Sequence, residues 1–156
     1  MKVYLLAIGQ RMPKWVEQGF KEYASRLSGN VKIELKEIPA AKRVRNSVIE
    51  KIKQDEGKRL LAAVPADAKL IVLDEHGKSQ TTKQLATHLD DWVQMSQDVA
   101  ILVGGADGLS DECMQKADLK WSLSGFTFPH PLVRIILVEQ VYRAWSLLNN
   151  HPYHRE

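Results

Sequence analysis

The sequence has little cysteine and no long hydrophobic run. Cys113 is the single cysteine, so no internal disulfide can form, and we expect a reducing, cytoplasmic setting. The most apolar stretch, residues 132–148, is interrupted by Arg134, Glu139 and Arg143, and it lacks the ~18 uninterrupted apolar residues of a membrane span. The first residues show no basic segment followed by an apolar one. We therefore expect neither a secretory signal nor a membrane association.

The composition is that of one folded domain over residues 1–156. Hydrophobic residues make up 44% and charged residues 26%, which argues against disorder, and a chain of this length can bury a core without disulfides or metal. The net charge is +3, but nine Lys/Arg against five Asp/Glu lie between residues 32 and 59. This excess is densest in residues 41–46, here called the basic segment. A local basic patch suits a polyanion such as RNA, or else is an ordinary solvated surface.

Hydrophobic periodicity predicts strands that alternate with helices. Strands are predicted at residues 3–8, 31–38, 69–74, 98–103 and 120–124, and the last of five helices at 131–149. This alternation favours an α/β fold with a mostly parallel sheet and helices on both faces. Ligands of such folds bind at the carboxyl ends of the strands, so the loops after Leu73, Val103 and Ser124 are the candidate site.

Capping patterns locate two of the helix starts. Ser47 with Glu50, and Thr81 with Gln84, have the spacing of a capping box. A polar loop is predicted at residues 77–81, just before the second of these starts. The apolar side of the helix that follows Ser47 is interrupted by Glu56.

The glycine loop after the strand at 98–103 does not match a phosphate-binding motif. Gly104, Gly105 and Gly108 follow the pattern G-G-x-x-G, which is neither a dinucleotide fingerprint nor a P-loop. Residues 98–112 contain no Lys or Arg, and residues 122–129 carry no charge. Phosphates usually attract cations. A neutral, glycine-bearing slot better suits adenine and a cationic cofactor such as the sulfonium S-adenosyl-L-methionine; the alternative is a tight turn without a ligand.

The long helix at 131–149 is apolar around most of its circumference. Such a helix must be buried on more than one side. In a domain of this size one side can contact the sheet and another a second subunit, so we predict a homodimer with a two-fold interface. The alternative is a central core helix in a monomer.

The C-terminal tail concentrates polar chemistry. Tyr153 can stack on a base, Arg155 can pair with phosphate, and His154 can move a proton near neutral pH. A disordered terminus is the alternative. His151 and His154 have no further obvious ligands nearby, so no metal is expected, and Cys113 is expected to be a packed or surface thiol rather than a nucleophile.

Four segments carry a resemblance to a known family. They are residues 73–74, 102–110 (LVGGADGLS), 121–134 (WSLS through FPHPLVR) and 142–154 (YRAWS through NHPYH). Together they resemble the bacterial large-subunit ribosomal RNA pseudouridine N3-methyltransferases of the SPOUT superfamily, over essentially the whole chain.

The resemblance implies a fold, a cofactor and a substrate. The fold would be an α/β sheet with a C-terminal trefoil knot, one of the rare exceptions to unknotted topology. The protein would be a homodimer whose partner chain completes each site, and it would methylate a pseudouridine of large-subunit ribosomal RNA on the assembled ribosome. Bent S-adenosyl-L-methionine would sit in the knot, held by residues of the three loops: Leu73, Gly104, Gly105, Leu123, Ser124, Gly125, Phe126, Thr127 and Phe128.

Our hypothesis for catalysis uses the tail. His154, or a water that the tail holds, would remove the N3 proton, while Tyr153 and Arg155 would position the base and a phosphate. Two alternatives stay open at this point. One is a SPOUT enzyme for another RNA nucleotide, such as a transfer-RNA base, and the other is a non-enzymatic ribosome-binding module.

Overall fold

The computed structural model describes residues 1–154, and its strands form one five-stranded sheet. The strands are β1 (Lys2–Ile8), β2 (Lys32–Ile38), β3 (Lys69–Ser79), β4 (Val99–Val103) and β5 (Leu119–Ser122). Their order is β2-β1-β4-β3-β5, and all four neighbouring pairs are parallel. The predicted parallel α/β fold is therefore confirmed, while the trefoil knot stays a prediction from the resemblance.

Helices cover both faces of the sheet. They are α1 (Lys14–Ala24), α2 (Ile49–Ala63), α3 (Thr82–Gln94), α4 (Asp111–Lys116) and α5 (His130–Leu148). Alternate strand residues point to opposite faces, which gives two apolar clusters. Leu5 and Ile101 pack with α1, α3 and α5, whereas Leu6 and Leu102 pack on the side of α2 and α4. No helix among residues 1–154 is both long enough and apolar enough to cross a membrane.

One of the two predicted capping boxes is confirmed and the other is wrong. The hydroxyl of Thr81 accepts from Gln84 N (3.1 Å), and Thr81 N donates to the Gln84 side chain (2.8 Å). By contrast, α2 begins at Ile49 without a side-chain cap. The hydroxyl of Ser47 instead accepts from Val44 N (2.7 Å), because it closes a turn in the basic segment before the helix begins.

Strand β3 extends to Ser79, beyond the predicted end at residue 74. The prediction of a polar loop at 77–81 is therefore wrong for residues 77–79. Leu73 and Lys78 both pair with Trp121, which makes residues 74–77 a bulge. A Cβ atom at Gly77 would lie 2.6 Å from the Trp121 carbonyl carbon. Glycine at this position therefore lets the two backbones approach and the strand resume.

Helix α5 packs between α1 and α3 on one face of the sheet. Gly19 of α1 permits a close approach, since a Cβ there would lie 3.1 Å from Ile135 Cδ1. The chain by itself buries one side of α5, whereas the core-helix alternative requires burial on more than one side. Leu132 and Leu148, near its two ends, are still exposed. The homodimer stays a prediction.

Candidate functional site

The three predicted loops meet around one cavity at the carboxyl ends of β3, β4 and β5. Its volume is about 660 Å³, within the range of ligand sites. Among the nine residues expected to hold the cofactor, Gly125 alone is absent from its lining. The eight that line it are Leu73, Gly104, Gly105, Leu123, Ser124, Phe126, Thr127 and Phe128.

A smaller, more apolar cavity of about 260 Å³ adjoins the same loops. It shares Leu73, Leu123 and Phe128 with the larger one and adds Ile101 and Trp121. The site thus combines a polar rim with an apolar compartment beneath it, an arrangement suited to a ligand with one flat apolar ring and one charged end.

The glycine loop folds back on itself. Gly108, with a φ of 84°, donates its N–H to Gly105 O (3.1 Å). A Cβ at Gly104 would lie 2.8 Å from the Gly108 carbonyl carbon, so the turn itself requires glycine there. The loop is therefore a tight turn, and its backbone forms one wall of the cavity. Ligand binding by this loop stays a prediction.

Serine side chains shape the uncharged loop after β5. The Ser122 hydroxyl donates to Ser124 O (3.2 Å), and Phe126 N donates to the Ser124 hydroxyl (3.0 Å). These bonds fix the backbone at the cavity wall. The Phe126 side chain is 82% exposed at the rim.

Charged residues line the rim, and the sequence analysis missed part of them. Asp74 and Glu75 reach it from the β3 bulge, and Lys53 reaches it from α2. The loops themselves contain no Lys or Arg near the glycines, but α2, which is distant in sequence, supplies the cation of Lys53. Asp107 of the glycine loop forms an ion pair with Arg43 of the basic segment. The basic segment therefore borders the cavity.

Arg134 anchors the start of α5 to the carboxyl edge of the sheet. Its guanidinium is 1% exposed and donates to Glu37 (2.6 Å) and to Gly9 O (2.7 Å). Glu139, further along α5, pairs with Arg143 (2.6 Å) and not with Arg134.

His130, in the first turn of α5, lines the cavity. Burial and the nearby charge of Arg134 lower its pKa, so the fold favours the neutral imidazole. Its position is compatible with orienting a ligand and with a structural role in the first turn.

Tyr153 and His154 pack on α5 from its middle onward. The Tyr153 ring lies 4.5 Å from that of Tyr142, and its hydroxyl donates to Glu139 (2.9 Å). Burial and then this hydrogen bond raise the pKa of Tyr153. His154 Nδ1 lies 3.1 Å from the Ser146 hydroxyl. Arg155 lies outside the described residues.

Within one chain, the contacts of the tail lie further along α5 than His130 of the larger cavity. At roughly 1.5 Å per residue, Glu139, which binds Tyr153, lies about 14 Å along the helix axis from His130, and Ser146, which binds His154, lies about 24 Å from it. Gln140, next to Glu139, lines the smaller cavity. Neither Tyr153 nor His154 lines either cavity, so these residues do not contribute to the cavities of their own chain.

Cys113 and His88 both pack within the fold. Cys113 is a packed thiol whose pKa is raised by burial, and its Sγ lies 3.7 Å from Gly57 O. His88 is half-buried, with its ring 5.5 Å from that of Trp92 and 5.2 Å from that of Trp121. Across residues 1–154 no cluster of three His, Cys, Asp or Glu side chains could hold a metal.

Comparisons with known proteins agree on one family. The family described as "Predicted SPOUT methyltransferase" matches residues 1–154. The chain is 54% identical over 156 residues to the ribosomal RNA large subunit methyltransferase H of Thioalkalivibrio sulfidiphilus, with all of both chains covered. It is 54% identical to the protein of the same name from Methylococcus capsulatus, over 99% of this chain and 100% of that one.

Solved structures support the fold alone. A probable methylase family protein from Haemophilus influenzae matches 99% of this chain and 70% of its own, with a TM-score of 0.59 and 10% identity. A putative methylase family protein from Neisseria gonorrhoeae matches 97% of this chain and 95% of its own, with a TM-score of 0.52 and 11% identity.

Proposed function

This chain belongs to the SPOUT methyltransferase family and is an enzyme, and we propose that it methylates N3 of a pseudouridine in large-subunit ribosomal RNA. The methyl donor in this proposal is S-adenosyl-L-methionine, and the substrate is presented by the assembled ribosome in the cytoplasm. The observation that carries the proposal is the cavity enclosed by the three predicted loops. The full-length relatives named as ribosomal RNA methyltransferases support the choice of RNA.

The residues of the cavity fit this donor. Leu123 and Phe128 border both cavities and offer an apolar slot for adenine, while Gly104 and Gly105 let the backbone approach a ligand closely. Asp74 and Glu75 at the rim favour a positively charged ligand over a phosphate-rich one. When bound, the donor supplies an electrophilic methyl group on a positively charged sulfur.

Catalysis by this chain consists of alignment and proton removal. The loop walls hold the donor so that the attacking nitrogen faces the methyl group opposite the departing sulfur. The imide nitrogen carries a proton and is a poor nucleophile until that proton leaves. In the proposal His154, or a water that it holds, takes this proton, while Tyr153 and Arg155 position the base and a phosphate.

The tail acts in the cavity of the partner subunit. Tyr153 and His154 line neither cavity of their own chain, which supports a homodimer with two composite sites. The exposed Leu132 and Leu148 mark the side of α5 left for such an interface. Family membership also supports the trefoil knot around the cavity.

The basic segment is the proposed RNA anchor. Lys42 and Arg45 are exposed, and Arg43 pairs with Asp107 at the cavity rim, so phosphates bound here lie beside the site.

Two measurements test the proposal. Calorimetry with S-adenosyl-L-methionine is expected to show binding, and its absence would contradict the methyl-donor assignment. Mass spectrometry of large-subunit ribosomal RNA from cells lacking this protein is expected to show one pseudouridine without its methyl group. Loss of a methyl group elsewhere would favour the SPOUT enzyme for another nucleotide, and no loss together with no cofactor binding would favour a ribosome-binding module.

A further inference from the structure

Glu56 is a buried carboxylate that the proposed mechanism does not use. It interrupts the apolar face of α2, and the fold leaves it 3% exposed. Its Oε2 accepts from Ala41 N (3.0 Å), whereas its Oε1 has no hydrogen-bond partner among residues 1–154. Two other buried side-chain atoms in that range lack a partner, His130 Nδ1 and Arg134 Nε. Both belong to the first turns of α5, beside the same cavity.

The carboxylate lies directly behind the glycine wall of the cavity. A Cβ at Gly105 would lie 3.0 Å from Glu56 Oε1 and 3.6 Å from Oε2. The next residue, Gly57, permits this closeness, since a Cβ there would lie 2.2 Å from the Ser110 hydroxyl at the start of α4. Only the backbone of Gly105 therefore separates the carboxylate from a ligand in the cavity.

The neighbouring cations are already paired with other acids. Arg134 donates to Glu37, Lys53 lies 3.7 Å from Glu50, and Arg43 pairs with Asp107. His130 is near enough to Glu56 to feel its charge, but burial and Arg134 favour its neutral form. A buried carboxylate without an ion pair is costly, and a cation placed in the adjacent cavity reduces that cost.

We propose that Glu56 is a specificity-determining residue for the methyl donor, favouring the positively charged sulfonium over the neutral thioether that remains after methyl transfer. The inference rests on the proposed function. The same charge that attracts the donor has no attraction for the spent product, so it also favours product release and exchange.

The test compares the affinities of S-adenosyl-L-methionine and S-adenosylhomocysteine by calorimetry in the full chain. Glu56→Gln keeps the shape and an oxygen for Ala41 N but removes the charge. We expect it to lower the preference for the sulfonium by about tenfold, through weaker sulfonium binding with nearly unchanged thioether binding. Asp55→Asn is the matched control, because it removes a charge from the adjacent position, where the exposed carboxylate pairs with Arg59 (2.8 Å). It is expected to leave the preference unchanged.

Other outcomes separate this inference from the proposed function. An unchanged preference in Glu56→Gln, or an equal loss for both compounds, would overturn the inference and leave a structural role. If Glu56→Gln does not fold, Glu56→Asp serves instead: it withdraws the charge by one methylene and is expected to lower the preference two- to threefold, roughly, as Coulomb energy falls with distance. An unchanged preference there overturns the inference too. Binding of neither compound by the unaltered chain contradicts the proposed function itself.

Discussion

The two ends of α5 differ in how completely one chain builds them. At the first end, Arg134 fixes the helix to Gly9 and Glu37, and His130 faces a cavity with all its loop walls in place. Toward the other end, Tyr153 and His154 pack on the helix and line neither cavity. The proposed donor site is therefore built by one chain, whereas the proposed catalytic site requires two.

The largest expected effect tests the far end alone. Replacing Tyr153, His154 and Arg155 by alanine is expected to lower methyl transfer by ~10²-fold or more, because alignment and proton removal are both lost. Cofactor affinity, measured by calorimetry, is expected to stay within about twofold, since Tyr153 and His154 line neither cavity of their own chain. Unchanged turnover would refute the assignment of the tail.

A smaller effect tests the cavity end. Gly104→Val places a Cβ 2.8 Å from the Gly108 carbonyl carbon, backbone that cannot move aside, and is expected to weaken cofactor binding by about tenfold or more. Ala62→Val is the control, because Ala62 is exposed on α2 and lines neither cavity. Equal affinity losses in the two variants would show that the glycine loop is not a specific wall.

Substitutions in the basic segment are expected to change RNA affinity while leaving the two ends of α5 unaltered. Reversing Lys42 and Arg45 to Glu is expected to weaken RNA binding and to make the slope of log affinity against log salt shallower by about one to two. Lys14→Glu with Lys21→Glu on α1, across the sheet, changes the net charge equally and serves as control. An equal effect of both pairs would mean that total charge, not the basic segment, sets RNA affinity.

The smallest effect concerns the pH dependence of folding. The pKa of His130 is lowered in the folded state by burial and by Arg134. As pH falls below about 6.5, the unfolded chain therefore binds a proton that folded His130 does not, so stability falls with pH. His130→Gln is expected to flatten this fall in urea unfolding at pH 7 and below. His88 has a lowered pKa as well, and so the fall should persist in part.

Sequence patterns predicted the fold and the loops, but they did not predict which side chains of other helices and strands lie at the carboxyl edge of the sheet. Strand and helix alternation sufficed for the parallel sheet, because period and length are local properties. The roles of Lys53, Glu37 and Glu56 depend on which helix or strand crosses the carboxyl edge, and no spacing encodes that. Glu56 did leave a signal, a charge within the apolar stripe of α2. The Ser47 capping box failed because a nearer turn uses the same hydroxyl.

Mixing two defective chains tests the composite site most directly. One chain carries the tail replacements and the other carries Gly104→Val, and each alone is expected to be inactive at limiting cofactor. After random reassociation half of the dimers are mixed, and each mixed dimer contains one intact site, so about a quarter of the unaltered activity is expected. Activity no greater than that of the two chains measured separately would contradict a site shared between subunits.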